Sequence, residues 1–293
     1  MPGSNSNPDS IWLFNPSLAL AIVFAVIYAV PLVWQSYLTV FRYRAYYFSV
    51  VIVGAAFEVG GYVSRAVSIK RQDSIPPYAV SSSLIVLAPL FIAAGNYLLL
   101  TRLCTRVLPV NVTRIYHLPL KNLTKIFVTS DIFTFLVQVS GSGIASSNNW
   151  EGDLVKIGEN VLIAGLAVQV FSLVVFLAVL SKFQHLARRE QKECAGAGWK
   201  VVVRAVWISC SLILVRSVYR LIEFALGIFG YPFTHEWMFY VFESVPMVPA
   251  IVVFCIWHPA AYFGRGRRAA KEDARDDVPL EVGEGGQVRA EEV

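Results

Sequence analysis

Charge is what this chain has least of. Charged residues make up 15% of the 293 positions and hydrophobic residues 56%, whereas an ordinary soluble domain carries roughly 25% charge. Between residues 17 and 263 the sequence also lacks any polar block long enough to fold by itself. That excludes a soluble two-domain protein, although the length would allow one. Cysteine is scarce too: Cys104 and Cys194 fall in basic connections, Cys210 and Cys255 inside apolar stretches, and no CxxC pair occurs. Neither a disulfide nor a zinc site is expected. The four histidines, His117, His185, His235 and His258, lie singly in or beside different connections, so none shares a metal with a second histidine at i+3 or i+4. There is no GxxxxGK[ST] loop, and no step driven directly by ATP is expected. The N-terminus has no basic n-region, and no small-residue cleavage site follows the first apolar run; that run is read as a retained helix.

What the chain does have is long apolar runs. Crossing a bilayer takes about 20 mostly apolar residues, and seven stretches qualify, near 17–40, 46–69, 79–103, 125–145, 159–182, 202–225 and 236–259. The fold class is therefore all-α, a polytopic protein of seven transmembrane helices. Pro31, Pro89, Pro246 and Pro249 lie inside spans and are read as kinks, because a neighbouring helix or water can satisfy the carbonyl each proline frees. Gly141 and Gly143 close the fourth span and permit close helix approach.

The basic residues report orientation. Arg42 and Arg44, then Arg102, Arg106, Arg114, Lys121 and Lys125, then Lys182, Arg188, Arg189, Lys192 and Lys200, and finally Arg265, Arg267, Arg268 and Lys271 fall on one side; only Lys70, Arg71 and Lys156 fall on the other. By the positive-inside rule the N-terminus is outside and the C-terminus cytoplasmic. This placement in short connections, and not in one basic face, is why a net charge of +5 does not point to nucleic acid. The layout is a short extracellular segment over 1–16, a membrane domain over 17–263 and a disordered cytoplasmic tail over 264–293, where charge is dense and large apolar residues are few.

Within the spans, ionisable residues recur at helical spacing. Arg216, Arg220 and Glu223 stand at i, i+4 and i+7, Glu236 and Glu243 at i and i+7, Glu58 and Arg65 at i and i+7, and Asp131 and Gln138 likewise. Each set shares one helix face. A charge at the bilayer centre costs roughly 2.5–3.5 kcal/mol on insertion scales, so these groups are expected to pair or to line a watery cavity. Arg216, Arg220 or Arg65 should meet Glu58, Glu223 or Glu243 across helices. Spans one, three and five read as an apolar wall around the polar stripes of spans two, four, six and seven.

Two readings of those charges stand. One is an ion-pair network that only holds helices together. The other is a pathway for amphiphiles, in which an arginine fork engages an anionic headgroup or a carboxylate engages an amine while the tail rests on apolar walls. An intramembrane hydrolase needs a metal site or a nucleophile with its base; the sequence offers neither pattern, and no enzyme and no cofactor are expected. A seven-span receptor or regulator that senses lipid stress and transports nothing is the competing class. Any active transport would use a gradient, with Glu58, Asp131 or Glu243 as proton carriers.

The same residues carry a family likeness. FEVGGYVSR at 57–65, LAPLFIAAGNYLLLTRL at 87–103, FVTSDIFTFLVQVSGSGI at 127–144 and VRSVYRLIEFALGIFGY at 215–231, followed by HEWMFYVFESVPM, resemble the fungal RTA-like, or lipid-translocating exporter, family. The resemblance implies a multi-pass fungal protein whose relatives are linked to movement of sphingoid long-chain bases, tolerance of sterol-like or azole toxicants, and porphyrin uptake. Its polar motif residues carry over as Glu58, Arg65, Asp131, Gln138, Arg216, Arg220, Glu223, His235, Glu236 and Glu243. One departure is Asn96 in AAGNY, where the family pattern has a small residue; an amide there would alter what fits. A multi-pass protein of the plasma membrane or an internal one, whose partners are the bilayer and an amphiphilic small molecule or lipid, is the resulting expectation.

Overall fold

The computed structural model describes residues 12, 15–107, 114–115, 118–119, 122–146, 153–189, 198–227 and 230–262. The tail over 264–293 and most of the segment over 1–16 lie outside the described residues. In chain order come α1 (Leu18–Ser36), prolonged by a π-helical turn (Tyr37–Arg42); a 3-10 turn (Tyr46–Phe48) leading into α2 (Ser49–Lys70); α3 (Ile75–Val107); a two-stranded ribbon of β1 (Arg114–Ile115) and β2 (Leu118–Pro119); α4 (Leu123–Ser146); α5 (Asp153–Arg189); and α6 (Gly198–Ala225). The last span is composite: after the single turn α7 (Tyr231–Thr234), α8 (Glu236–Met238) runs into a second π-helical turn (Phe239–Ser244) and then α9 (Val245–Ile256).

Among the described residues, seven segments are long and apolar enough to cross a membrane, at Leu18–Arg42, Tyr46–Lys70, Ile75–Val107, Leu123–Ile144, Val155–Arg189, Gly198–Ala225 and Glu236–Tyr262. They match the sequence reading, with α3 and α5 running on further than its limits. At 1.5 Å per residue the 37 residues of α5 span about 55 Å, well beyond a hydrocarbon core of about 30 Å. Its C-terminal turns, with Lys182, Arg188 and Arg189, therefore stand clear of the apolar layer.

Successive spans pack as neighbours around a ring, α6 against α9 and α9 back against α1, while α3 also reaches across to α6. That places α3 at the centre. It is the most buried span of the seven, and the expectation that it forms part of an outer apolar wall is corrected. An uncharged helix is as fit for the centre of a bundle as for its lipid face, and periodicity cannot tell the two apart. The wall facing lipid is instead made by the outer stripes of many helices, for example Val30 and Val33 on α1, Phe133 and Leu136 on α4, and Phe171 on α5.

Helices α2 and α3 approach closely because of glycine. A Cβ at Gly61 would lie 2.6 Å from Ile85 Cγ1, and one at Gly54 2.8 Å from Ile92 Cγ1. Small residues at seven-residue spacing let two backbones meet along one stripe, and that contact turns Glu58, midway between them, toward the bundle interior. Of the two glycines ending α4, Gly141 lies against α5: a Cβ there would lie 2.7 Å from Leu162 N and 2.8 Å from Gly158 O, whereas a Cβ at Gly143 would have nothing within 4 Å among the described residues. Close helix approach is therefore seen at Gly141.

Candidate functional site

Arg216 is the hub of the bundle. From α6, with 3% of its side chain exposed, it reaches Glu58 Oε1 on α2 at 3.3 Å and Glu243 Oε1 on the second π turn at 3.0 Å. Its Nη2 also donates to the Ile85 carbonyl of α3 at 2.7 Å, and its Nη1 to the Glu243 carbonyl at 3.4 Å. One planar fork thus ties four spans together, a use for which arginine is better shaped than lysine. The Ile85 carbonyl is available because Pro89, four residues on within α3, has no N–H to bond it. One turn along α6, Arg220 binds Glu223 Oε2 at 3.1 Å and Glu243 Oε2 at 3.5 Å. Its side chain is 21% exposed, and the cluster is least sealed at this point.

Arg65 has a different partner from those expected. It faces Glu236 Oε1 at 3.8 Å, and its guanidinium lies over the rings of Phe239 (4.2 Å), Trp12 (4.6 Å) and Tyr240 (5.5 Å). Glu236 in turn accepts the Ser17 N–H on both carboxylate oxygens at 3.0 Å, so its negative charge stands at the N-terminus of α1, where the helix dipole favours it. From this box a column of rings descends: Phe24 on Tyr240, Tyr62 on Phe24, and Tyr28 on Tyr62, at centroid spacings of 4.9, 5.7 and 5.3 Å. Tyr28 donates to the Ser244 carbonyl at 2.6 Å, and Tyr62 donates to Ser244 Oγ.

The spans thus bring together Glu58, Arg216, Arg220, Glu223 and Glu243 in one cluster and Arg65 with Glu236 in a second. Asp131 and Gln138 belong to neither. Asp131 accepts from Tyr97 Oη of α3 at 2.8 Å, and Gln138 donates to Gln169 Oε1 of α5 at 2.8 Å. Their shared face on α4 is turned to α3 and α5, the helices that flank it. His235 stacks on Tyr231 at 3.8 Å and bonds that residue's carbonyl through Nδ1 at 3.0 Å, a contact local to the turn before the last span. Asn96 faces the interior and donates to Ser209 Oγ of α6 at 3.0 Å.

A family model described as RTA1 like protein matches residues 51–266, a range that includes both charge clusters whole. The chain belongs to the RTA1-like family. Among its relatives, Protoporphyrin uptake protein 1 of Saccharomyces cerevisiae is 33% identical over 224 residues, covering 75% of this chain and 70% of the relative. The Sphingoid long-chain base transporter RSB1 of the same species is 27% identical over 291 residues, covering 86% and 74%. The Probable lipid transporter atnI of Emericella nidulans is 25% identical over 272 residues, covering 88% and 69%. No solved structure matches the chain.

Two further features of this RTA1-like protein escape sequence reading. A membrane-facing groove of about 400 Å³ runs between α1 and α2, lined by apolar side chains such as Ile22, Val26, Val59 and Val63, with Lys70 at its end. At the opposite end of α1 a pocket of about 240 Å³ is bordered by Tyr43, Cys255 and His258. There His258 Nε2 meets Thr39 Oγ1 at 3.2 Å, Gln35 Nε2 donates to the same hydroxyl at 3.4 Å, and the ring lies on Tyr43 at 4.8 Å. The first π turn carries Thr39 into this contact. Nothing in the letters marks His258 as a neighbour of Gln35 and Thr39, since it comes from the opposite end of the chain.

Proposed function

We propose that this RTA1-like protein is a lipid-linked translocator of the plasma membrane, N-terminus outside, that moves amphiphiles such as sphingoid long-chain bases, sterol-like toxicants or porphyrins and thereby lowers their toxicity. The observation that carries the reading is the Arg216 hub. An arginine that joins α2, α3, α6 and the last span by both its charges and its hydrogen bonds holds every helix that would have to part for a headgroup to pass. The residue it grips most closely among the acids, Glu243, lies on a π-helical turn followed by Pro246 and Pro249. Such turns gather at functional sites, and loss of the extra residue would rotate one side of the helix by about 100° against the other, carrying Glu243 away from Arg216.

The groove between α1 and α2 supports the same reading: it is apolar along its length and cationic at one end, the profile of an alkyl chain with a polar head. The names of the relatives, for porphyrin uptake, lipid transport and long-chain base transport, share amphiphilic cargo and share no chemistry of bond breaking, in keeping with a non-enzyme. The test is transbilayer movement of a fluorescent long-chain base in liposomes containing only the purified protein. Movement faster than in protein-free liposomes is expected. A protein-free rate with folded protein present would reject translocation and leave the lipid-sensing receptor as the reading.

A further inference from the structure

The cluster around Arg216 does not balance. Among the described residues it holds two guanidiniums, Arg216 and Arg220, and three carboxyl groups, Glu58, Glu223 and Glu243, while the neighbouring Arg65 and Glu236 balance each other. With every group ionised, one negative charge would lie in the apolar interior with no counter-ion of its own.

The hydrogen bonds show which acid is short of donors. Glu243 receives Arg216 on one oxygen and Arg220 on the other, at 3.0 and 3.5 Å. Glu223 receives Arg220 on Oε2 at 3.1 Å and Tyr219 Oη on Oε1 at 3.4 Å. Glu58 receives Arg216 on Oε1 at 3.3 Å, and its Oε2, with no exposed surface, has no hydrogen-bond partner among the described residues. The ionisable groups facing it are Tyr28 from α1, Tyr62 on α2, Arg216 from α6 and Glu243 from the second π turn. Both tyrosine hydroxyls are directed at Ser244 instead, and the Ile85 carbonyl of α3 is engaged by Arg216. A carboxyl buried with one long ion pair and one bare oxygen takes up a proton in preference to bearing an unbalanced charge.

We propose that Glu58 holds a proton in the resting protein and that this proton is the coupling ion of amphiphile movement, an inference that rests on the translocator reading above. When the second π turn rewinds and withdraws Glu243, Arg216 loses its closest carboxylate and turns to Glu58. The O–H bond at Glu58 Oε2 breaks, the proton passes to water at the less sealed Arg220 end, and the new carboxylate pairs with Arg216. Return of Glu243 to Arg216 frees Glu58 of its ion pair, and Glu58 Oε2 then takes a proton from water on the other side of the membrane, so that each cycle carries one proton across. The cargo thus moves with proton exchange, and no other energy source enters the cycle.

Infrared spectroscopy of the purified protein locates the proton without any transport. A protonated-carboxyl C=O stretch that shifts in deuterated buffer is expected at neutral pH, lost in Glu58→Gln and kept in Asp131→Asn, which removes the buried acid bonded to Tyr97. A band unchanged in Glu58→Gln overturns the assignment. Should that variant fold poorly, Glu58→Asp serves, with a displaced band expected and an unmoved band contradicting. Coupling is read in wild-type liposomes with the membrane potential clamped, using a fluorescent N-trimethylated long-chain base, whose own charge does not titrate. An imposed pH gradient should change its flux several-fold over protein-free liposomes. Equal flux with and without the gradient rejects coupling, whereas no protein-dependent flux at all rejects translocation and coupling together, with the infrared band still deciding where the proton resides.

Discussion

Pro89 and Arg216 are joined through a single carbonyl. The proline leaves the Ile85 oxygen without its helical N–H, and Arg216 Nη2 takes that oxygen at 2.7 Å. A residue that would ordinarily weaken a helix here supplies an acceptor that lets a buried guanidinium satisfy its donors. Replacing Pro89 with Ala is therefore expected to destabilise, against the usual gain from removing a helical proline. Competition from the restored N–H at position 89 should cost about 1.5 kcal/mol, the lower end for a hydrogen bond to a charged group, and thermal unfolding in detergent measures it. Higher stability in Pro89→Ala would show that the carbonyl does not matter to Arg216.

Removing the hub should be worse than removing any one of its acids. Arg216→Met leaves the Glu243 carboxylate without its closest cation, and breaking a buried pair in this way costs about 3–5 kcal/mol. Glu58→Gln should cost far less, since an amide oxygen still accepts from Arg216. Fluorescence-detected size exclusion after graded heating ranks the two. The combination of Arg216→Met with Glu243→Gln should recover part of the loss, because the stranded carboxylate is gone.

Much of this arrangement was legible from spacing. The seven spans and the inward faces of Glu58, Arg216, Arg220, Glu223 and Glu243 follow from apolar length and from residues at i, i+4 and i+7. The partner of Arg65 did not follow, because Glu236 is brought to it by the docking of α1 through Ser17, a tertiary contact with no local signature. Asp131 and Gln138 have the same spacing as the cluster residues and yet face α3 and α5, so periodicity identified a polar face without saying what it faces. The Ile85 carbonyl is backbone, Tyr28 and Tyr62 are counted among the hydrophobic residues in the composition, and FYVFES carries no letter that announces a π turn. Those are the parts that only packing determines.

The glycines of α4 offer a paired test. Gly141→Ala would push a methyl against the backbone of α5 at Gly158 and Leu162, and overpacking of this kind costs about 1–3 kcal/mol. Gly143→Ala has open space and should be neutral, or stabilising by up to about 1 kcal/mol through helix propensity. Equal melting temperatures for the two variants would contradict the close approach of α4 and α5.

Arg65→Lys should not be a silent exchange. A planar guanidinium lies against Phe239, Trp12 and Tyr240 together, and lysine offers a point charge without a face to stack. Loss of a desolvated cation–π contact is expected to cost about 2 kcal/mol and to loosen the packing of Trp12, read as faster proteolysis of the N-terminus. Unchanged cleavage would show that Trp12 holds its place without the guanidinium.

The orientation behind the proposed function predicts an unglycosylated protein. Both acceptor sequons, Asn111-Val112-Thr113 and Asn122-Leu123-Thr124, fall in the connection between the third and fourth spans, on the side with most of the Lys and Arg residues. Asn122 directly precedes α4, and Asn111 lies outside the described residues. A glycosidase-sensitive mass shift that disappears when both asparagines are replaced would invert the topology.

On the proposed function the Arg216 network is the path or gate of amphiphile movement and more than a structural brace. The measurement that decides between the two is the initial rate of fluorescent long-chain base movement in liposomes carrying matched amounts of folded wild type or Glu243→Gln, with folding verified by size exclusion and melting temperature. Glu243→Gln, with its link to both arginines weakened, is expected to fall by at least about tenfold, the equivalent of roughly 1.4 kcal/mol on the barrier. A folded Glu243→Gln protein that moves the base at the wild-type rate would show that the buried charges only hold the helices together.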